Sequence, residues 1–185
     1  MRVLVACEFS GVVRNAFSVL GHDAWSCDFL TSETEGKHIQ GNVLDILDNG
    51  WDLMIAHPPC TYLAVSGARW FSDRRKEQEE ALEFVRVLLN SQISQVCVEN
   101  PVSIISTKIR KPDQIIQPWQ FGCGETKATC LWLKNLPPLM CTVIDQGRIP
   151  RVHREPPGPE RWKNRSRFYP EIARAMAEQW GGLIG

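Results

Sequence analysis

Short runs in which every residue is apolar, separated by stretches of helical spacing, constrain this chain more than any other feature. Val3-Leu4-Val5-Ala6-Cys7, Leu53-Met54-Ile55-Ala56 and Val96-Cys97-Val98 are short for helices and have no polar face, which is how strands covered on both sides read. Between them stand amphipathic patterns. Val13, Phe17 and Leu20 share one face up to Gly21; within residues 79–90, Leu82, Val85 and Leu89 stack with Ala81, Phe84 and Leu88 beside them. Further strands are expected at residues 24–27, ending on Asp28, and at residues 129–133. A closing helix from Pro170 presents Ile172, Met176 and Trp180 and stops at Gly181-Gly182. This alternation predicts an α/β fold with a parallel-rich sheet and helices on both faces. A length of 185 residues suits one domain. Over residues 135–165 the periodicity is lost and six prolines intervene, so an ordered loop or small appendage is expected there.

The formal net charge of +0 gives no global attraction to polyanions, so any nucleic-acid surface has to be local. The 7 cysteines are odd in number and contain no Cys-x-x-Cys pair, which suits a reducing compartment. Cys123, Cys130 and Cys141 lack the second pair or clustered histidine of a metal site, and no metal is expected. No apolar stretch is long enough for a bilayer and the amino terminus enters a strand directly, so a cytoplasmic protein without a membrane partner is expected.

The chemistry concentrates where the predicted strands end. Pro58-Pro59 cannot continue a ladder, so Cys60 stands on a stiff turn at the strand's C-terminal mouth, where open α/β sheets hold ligands. A lone cysteine is more often an inert small hydrophobe. The odds change because the run ending at Val98 leads into Glu99-Asn100-Pro101; if the two runs are parallel neighbours, thiol and carboxylate emerge at one edge. After the first run, Glu8-Phe9-Ser10-Gly11 forms a small-residue turn, and Asp28 ends the second strand where a carboxylate can hold a ribose diol. The turn is not Gly-x-Gly-x-x-Gly, and Asp28 reads equally as the start of a solvated loop. Residues 145–169 carry Arg148, Arg151, Arg154, Arg161, Lys163, Arg165 and Arg167 with Trp162, Phe168 and Tyr169: a track for phosphates and displaced bases, or a solvated basic loop. Arg69, Trp70 and Phe71, after Ser66-Gly67, suit a base pocket or core cover. His57 reads poorly as the base of a cysteine hydrolase, because a rigid turn seldom brings side chains three residues apart together; His22, His38 and His153 read as surface or satisfied core residues.

The order of these motifs resembles the cytosine-C5 methyltransferases that use S-adenosylmethionine, and the short forms carried by bacteriophages most of all. Phe9-Ser10-Gly11 looks like the first cofactor motif, Cys27-Asp28 like the ribose-binding acid, and Gly41-Asn42-Val43 like a Gly-Asp-Val turn. Pro58-Pro59-Cys60 with Ser66-Gly67 looks like the nucleophile motif, Glu99-Asn100-Pro101 like Glu-Asn-Val, and Ser166 with the closing helix like the last motif. The resemblance implies a Rossmann-like methyltransferase fold and methyl transfer to carbon 5 of cytosine in DNA, in a bacterial cytoplasm. It implies that Cys60 adds to the ring, that Glu99, protonated because burial raises its pKa, donates to N3, and that Asn100 orients the loop. Glu8, Phe9, Ser10, Gly11, Asp28, Asn42, Val43, Pro58 and Ser166 are then expected at the cofactor, and Ser66, Arg69, Lys127, Arg151, Arg154 and Arg165 at DNA.

Three departures accompany the resemblance. Asn42 stands where the family has an aspartate. Lys127-Ala128-Thr129 replaces an arginine pair, so Thr129 or Lys127 has to serve the base. Residues 135–165 occupy the place of the sequence-reading domain. A free pyrimidine nucleotide, whose phosphate the basic loop would hold, is the alternative substrate, and a catalytically silent cofactor or DNA-binding module is the competing class.

Overall fold

The computed structural model describes residues 1–182, apart from the side chains of Trp70, Val152 and His153. The strands are β1 (Arg2–Ala6), β2 (Asp23–Asp28), β3 (His38–Gln40), β4 (Leu53–Ala56), β5 (Gln95–Pro101), β6 (Gln114–Ile116) and β7 (Thr129–Lys134). They form one sheet in the order β3-β2-β1-β4-β5-β7-β6. β1 to β5 run parallel, and β7 lies antiparallel between β5 and β6. This is a Rossmann-like α/β sheet, and its winding reverses between β1 and β4. The crevice at such a reversal, outside the carboxyl ends of the strands, is where these folds bind ligands.

The pleat explains why the strands are apolar throughout. Val3 and Val5 face a layer with Leu53, Ile55, Phe17, Ile172, Met176 and Trp180, which joins α1 (Val12–Val19) and α6 (Pro170–Trp180) to one side of the sheet. Leu4, Ala6, Met54, Val96 and Val98 face the opposite layer, built by Leu82, Val85 and Leu88 of α2 (Arg75–Leu89) and by Trp132. Each fully buried aliphatic side chain contributes about 1.5–3 kcal/mol, so double coverage is what holds this sheet together. No helix among the described residues is long and apolar enough to cross a membrane.

Several expectations need correction. Leu20 follows α1 as its C-cap and is exposed, because the helix ends one residue before the pattern does. α2 begins at Arg75 rather than 79, through a polar first turn that apolar spacing does not mark. Residues 135–165, expected as an ordered loop or small appendage, hold two short helices and core contacts. Leu136 and Leu139 enter the core; α4 (Arg151–Arg154) is tied to Glu125, α5 (Arg161–Ser166) brings Trp162 against Phe9, and the turn into α6 brings Phe168 against His57. α3 (Ile105–Lys108) is a single turn after β5.

The turn after β1 is braced from within. The Glu8 carboxylate accepts from the Val13 and Arg14 backbone N–H groups at 2.7 and 3.2 Å, which caps α1. The Arg14 side chain, fully buried, donates to Ser26 Oγ, Ser32 Oγ, Thr34 Oγ1 and the Glu35 carbonyl. Gly11 has φ +72, and a methyl group there would overlap Thr34 Oγ1 and the Arg14 guanidinium. Glu8→Ala leaves two buried N–H groups unpaired, so urea unfolding should show a loss of about 1–3 kcal/mol. A loss below about 0.5 kcal/mol, the scale of a neutral surface change, would contradict the capping role.

Candidate active site

β4 and β5 are parallel neighbours in the register Ala56 to Val98, so the residue just past β4 and the next residue within β5 stand side by side. These are His57 and Glu99, and their side chains meet: Nδ1 lies 2.9 Å from Glu99 Oε2. Cys60 stands three residues farther along the loop, exposed. That loop is fixed from three sides. The His57 N–H donates to the Ala6 carbonyl at 2.9 Å, and Asn100 Nδ2 donates to the Pro58 carbonyl at 2.8 Å. The Cys60 carbonyl accepts from Leu63 and Ala64 N–H, which starts a tight turn into residues 65–70.

Charge organises the group. Desolvation first, and the Glu99 carboxylate second, push the Cys60 thiol above 9.0, while Lys127 and Arg165 pull it down. Burial by itself would raise Glu99. The hydrogen bond from His57 and the charge of Lys127 outweigh it, so the carboxyl is held below its ordinary 4.5. This reverses the expectation of a protonated Glu99: at rest the pair is thiol and carboxylate. Buried polar atoms in this cleft lack hydrogen-bond partners among the described residues, namely Glu99 Oε1, His57 Nε2 and Asn100 Oδ1. Unsatisfied groups so close together cost stability and suit a site built to receive a polar ligand.

The remaining predicted residues divide into those the fold brings to this cleft and those it engages elsewhere. Lys127, just before β7, acts on Cys60 and Glu99 together, and its Nζ reaches the Arg165 carbonyl at 3.4 Å. Thr129 is buried, and its hydroxyl donates to the Lys127 carbonyl at 3.1 Å. Of the two candidates to replace the family's arginine, Lys127 is the one whose charge reaches the thiol. Arg151 is paired with Glu125, which also accepts from the Tyr169 hydroxyl. Arg167 binds Glu33 through two nitrogens at 2.9 and 2.8 Å, and Arg148 lies over the Trp119 ring. Arg148, Arg151 and Arg167 are thus held by residues of loops outside the sheet; Arg154 stays exposed. Ser66 and Arg69 are exposed on the turn after Cys60, beside a hollow of about 170 Å³ lined by Tyr62, Phe71 and Arg74. The side chains of Trp70 and His153 lie outside the described residues.

On the other flank of the crevice, Cys7 has φ +59 and Asp28 closes β2, its Oδ1 accepting from Leu30 N–H at 2.9 Å. Phe9 is nearly buried, with Trp162 of α5 at 6.1 Å between ring centroids. Asn42 caps the turn that contains buried Val43, accepting from Leu44 N–H at 3.1 Å. Pro58 is buried under the loop. The Glu8 carboxylate is turned to α1, and the Ser10 carbonyl accepts from Thr34 Oγ1 at 3.2 Å. Ser166 is exposed, its hydroxyl donating to the Lys163 carbonyl at 2.9 Å. His38 is satisfied on both nitrogens, by Ser26 Oγ and the Leu30 carbonyl. His57 is the group that sequence reasoning missed: it was weighed against Cys60, whereas its partner lies across the register on β5.

This fold has a counterpart among solved structures. It is similar to the crystal structure of a prophage-encoded protein of E. coli described as a proposed DNA modification methyltransferase. The likeness is one of fold. TM-score is 0.52 at 15% sequence identity, and the match covers 85% of this chain and 55% of that one. The chain therefore spans little more than half the length of that protein. No family model matches the sequence, and no curated protein does.

Proposed function

We propose that this chain is an S-adenosylmethionine-dependent methyltransferase acting on carbon 5 of cytosine in DNA through a covalent adduct with Cys60. The observation that carries the reading is the register of β4 and β5, which sets the loop bearing Cys60 beside the buried Glu99 carboxylate, with Lys127 acting on both groups. The description of the prophage protein as a proposed DNA modification methyltransferase, on a similar fold, supports the same class and substrate.

The donor set suits a nucleoside cofactor. Asp28 offers a carboxylate to a ribose diol at the tip of β2, beside the point where the winding reverses, and Phe9 and the Asn42 turn offer an apolar face and an amide to an adenine. S-adenosylmethionine supplies an electrophilic methyl group when bound. The chain's own residues make carbon 5 able to accept it.

Carbon 5 of cytosine is a poor nucleophile until sulfur adds at carbon 6 and turns the ring into an enamine. A resting thiol next to a resting carboxylate provides for this without an outside proton. The thiol proton passes to Glu99 as sulfur bonds to carbon 6; the displaced π electrons move toward N3, which takes that proton from Glu99. Lys127 and Arg165 stabilise the anionic sulfur on the way. Asn100 keeps the Pro58-Pro59-Cys60 turn in place throughout. Solvent water then takes the carbon-5 proton, the C5–H electrons close the 5,6 double bond, and the C6–S bond breaks to release Cys60, to which N3 returns the borrowed proton through Glu99.

The reading is tested by incubating the protein with methyl-labelled cofactor and either duplex DNA or dCMP, followed by nucleoside analysis. Label recovered as 5-methylcytosine from DNA is expected. Label in dCMP alone would move the substrate to the free nucleotide, and label on an exocyclic nitrogen would remove the adduct mechanism.

A further inference from the structure

The chemistry above assigns no task to His57, although among the described residues its ring makes the one hydrogen bond to the Glu99 side chain. The ring is held rigidly: its backbone N–H is bonded to β1, and Phe168 lies against it at 4.8 Å between centroids. An ionised carboxylate only accepts hydrogen bonds, so in this pair Nδ1 carries the hydrogen and donates to Oε2. The other carboxylate oxygen, Oε1, is buried without a partner.

We propose that His57 is the positioning residue of this site, holding Glu99 by Oε2 so that Oε1 is the oxygen that takes the Cys60 proton and delivers it to N3. The inference rests on the reading of the site as a cytosine methyltransferase and adds the residue that orients its proton carrier. In the addition step the proton is fully accounted for, and in the elimination N3 returns it by way of Oε1 to the departing sulfur. The S–H bond breaks as S–C6 forms, the proton resides on Oε1, and it ends on N3 with Glu99 again a carboxylate. Nδ1–H stays with His57 and stabilises the charge at the start and the end.

Other ionisable groups bear on the pair from each surrounding element: Lys127 before β7, Cys60 on the loop, Cys97 within β5 and Cys130 within β7, with Arg165 of α5 acting on Cys60. Among them, His57 alone makes a hydrogen bond to the Glu99 side chain within the described residues. Its removal therefore acts on Glu99 first.

The test compares the parent with His57→Ala and His57→Asn, whose amide N–H stands near the Nδ1 position. His57→Ala should lower kcat about 100-fold, the lower end of what general acid–base groups contribute, with KM for the cofactor unchanged. Because a lost donor destabilises the carboxylate, the acid limb of its kcat–pH profile should move to higher pH. His57→Asn, or imidazole added to His57→Ala, should restore most of the rate and return the limb. A ring that merely filled space would change stability without moving the limb. Carbon-13 spectra of the Glu99 carboxyl in the ligand-free proteins supply a readout independent of turnover. Titration at higher pH in His57→Ala supports the assignment, and an unmoved titration with an unmoved limb overturns it. A parent that methylates no pyrimidine overturns the reading of the site instead, and the carboxyl titration still decides whether His57 governs Glu99.

Discussion

Replacing Cys60 by serine should abolish methyl transfer, lowering kcat by at least about 10⁴-fold, while cofactor affinity and thermal stability stay at parental levels. The size follows from covalent catalysis: without sulfur on carbon 6 there is no enamine, and a serine hydroxyl is far harder to ionise than a thiol. Stability should not change because Cys60 is exposed and the turn is held by backbone groups and by Asn100, none of which the substitution touches. Cofactor binding by calorimetry and transfer of labelled methyl groups to DNA check the two halves separately. A variant that binds cofactor and still methylates at the parental rate would remove Cys60 from the chemistry.

Glu99→Gln should lower kcat by about 10²–10⁴-fold and also change the shape of the pH profile. Glutamine preserves volume and can donate to N3, but it cannot take a proton from sulfur. In the parent, the carboxylate form persists down to below 4.5, so the rate should stay level across the neutral range and fall only in acid, as Glu99 protonates. In the variant the thiol has to lose its proton to solvent. Its rate should climb with pH toward the raised thiol value, above 9.0 less whatever the lost Glu99 charge had added. A Glu99→Gln profile with the parent's shape, merely scaled down, would mean that the carboxylate positions the base without carrying a proton.

What could be read in the chain and what could not follows from how far each interaction reaches. The central strands were legible because coverage on both faces leaves no polar alternation, and the two Pro- and Asn-terminated runs made the common edge of Cys60 and Glu99 predictable. β3 and β6, three residues each at the sheet's edges, carry too little pattern to stand out. The His57–Glu99 contact depends on register, Ala56 opposite Val98, and no local spacing announces a partner 42 residues away. The sign of Glu99's shift was missed for the same reason. Burial is visible in an apolar run, whereas the opposing donor and the Lys127 charge come from other elements. In the basic segment, Arg151 and Arg167 pair with carboxylates on distant loops, Glu125 and Glu33, partners that no local spacing announces.

The central claim is that the sulfur of Cys60 forms a bond to a pyrimidine ring, and trapping measures this directly. Fluorine at carbon 5 cannot leave as a proton does, so a duplex carrying 5-fluorocytosine halts turnover at the methylated adduct. Incubated with S-adenosylmethionine and such a duplex, the protein should give a denaturation-resistant complex whose mass includes DNA and one methyl group. Peptide mapping should place the bond at Cys60. A protein that methylates cytosine in ordinary DNA yet yields no adduct, or one attached elsewhere than Cys60, would contradict the account.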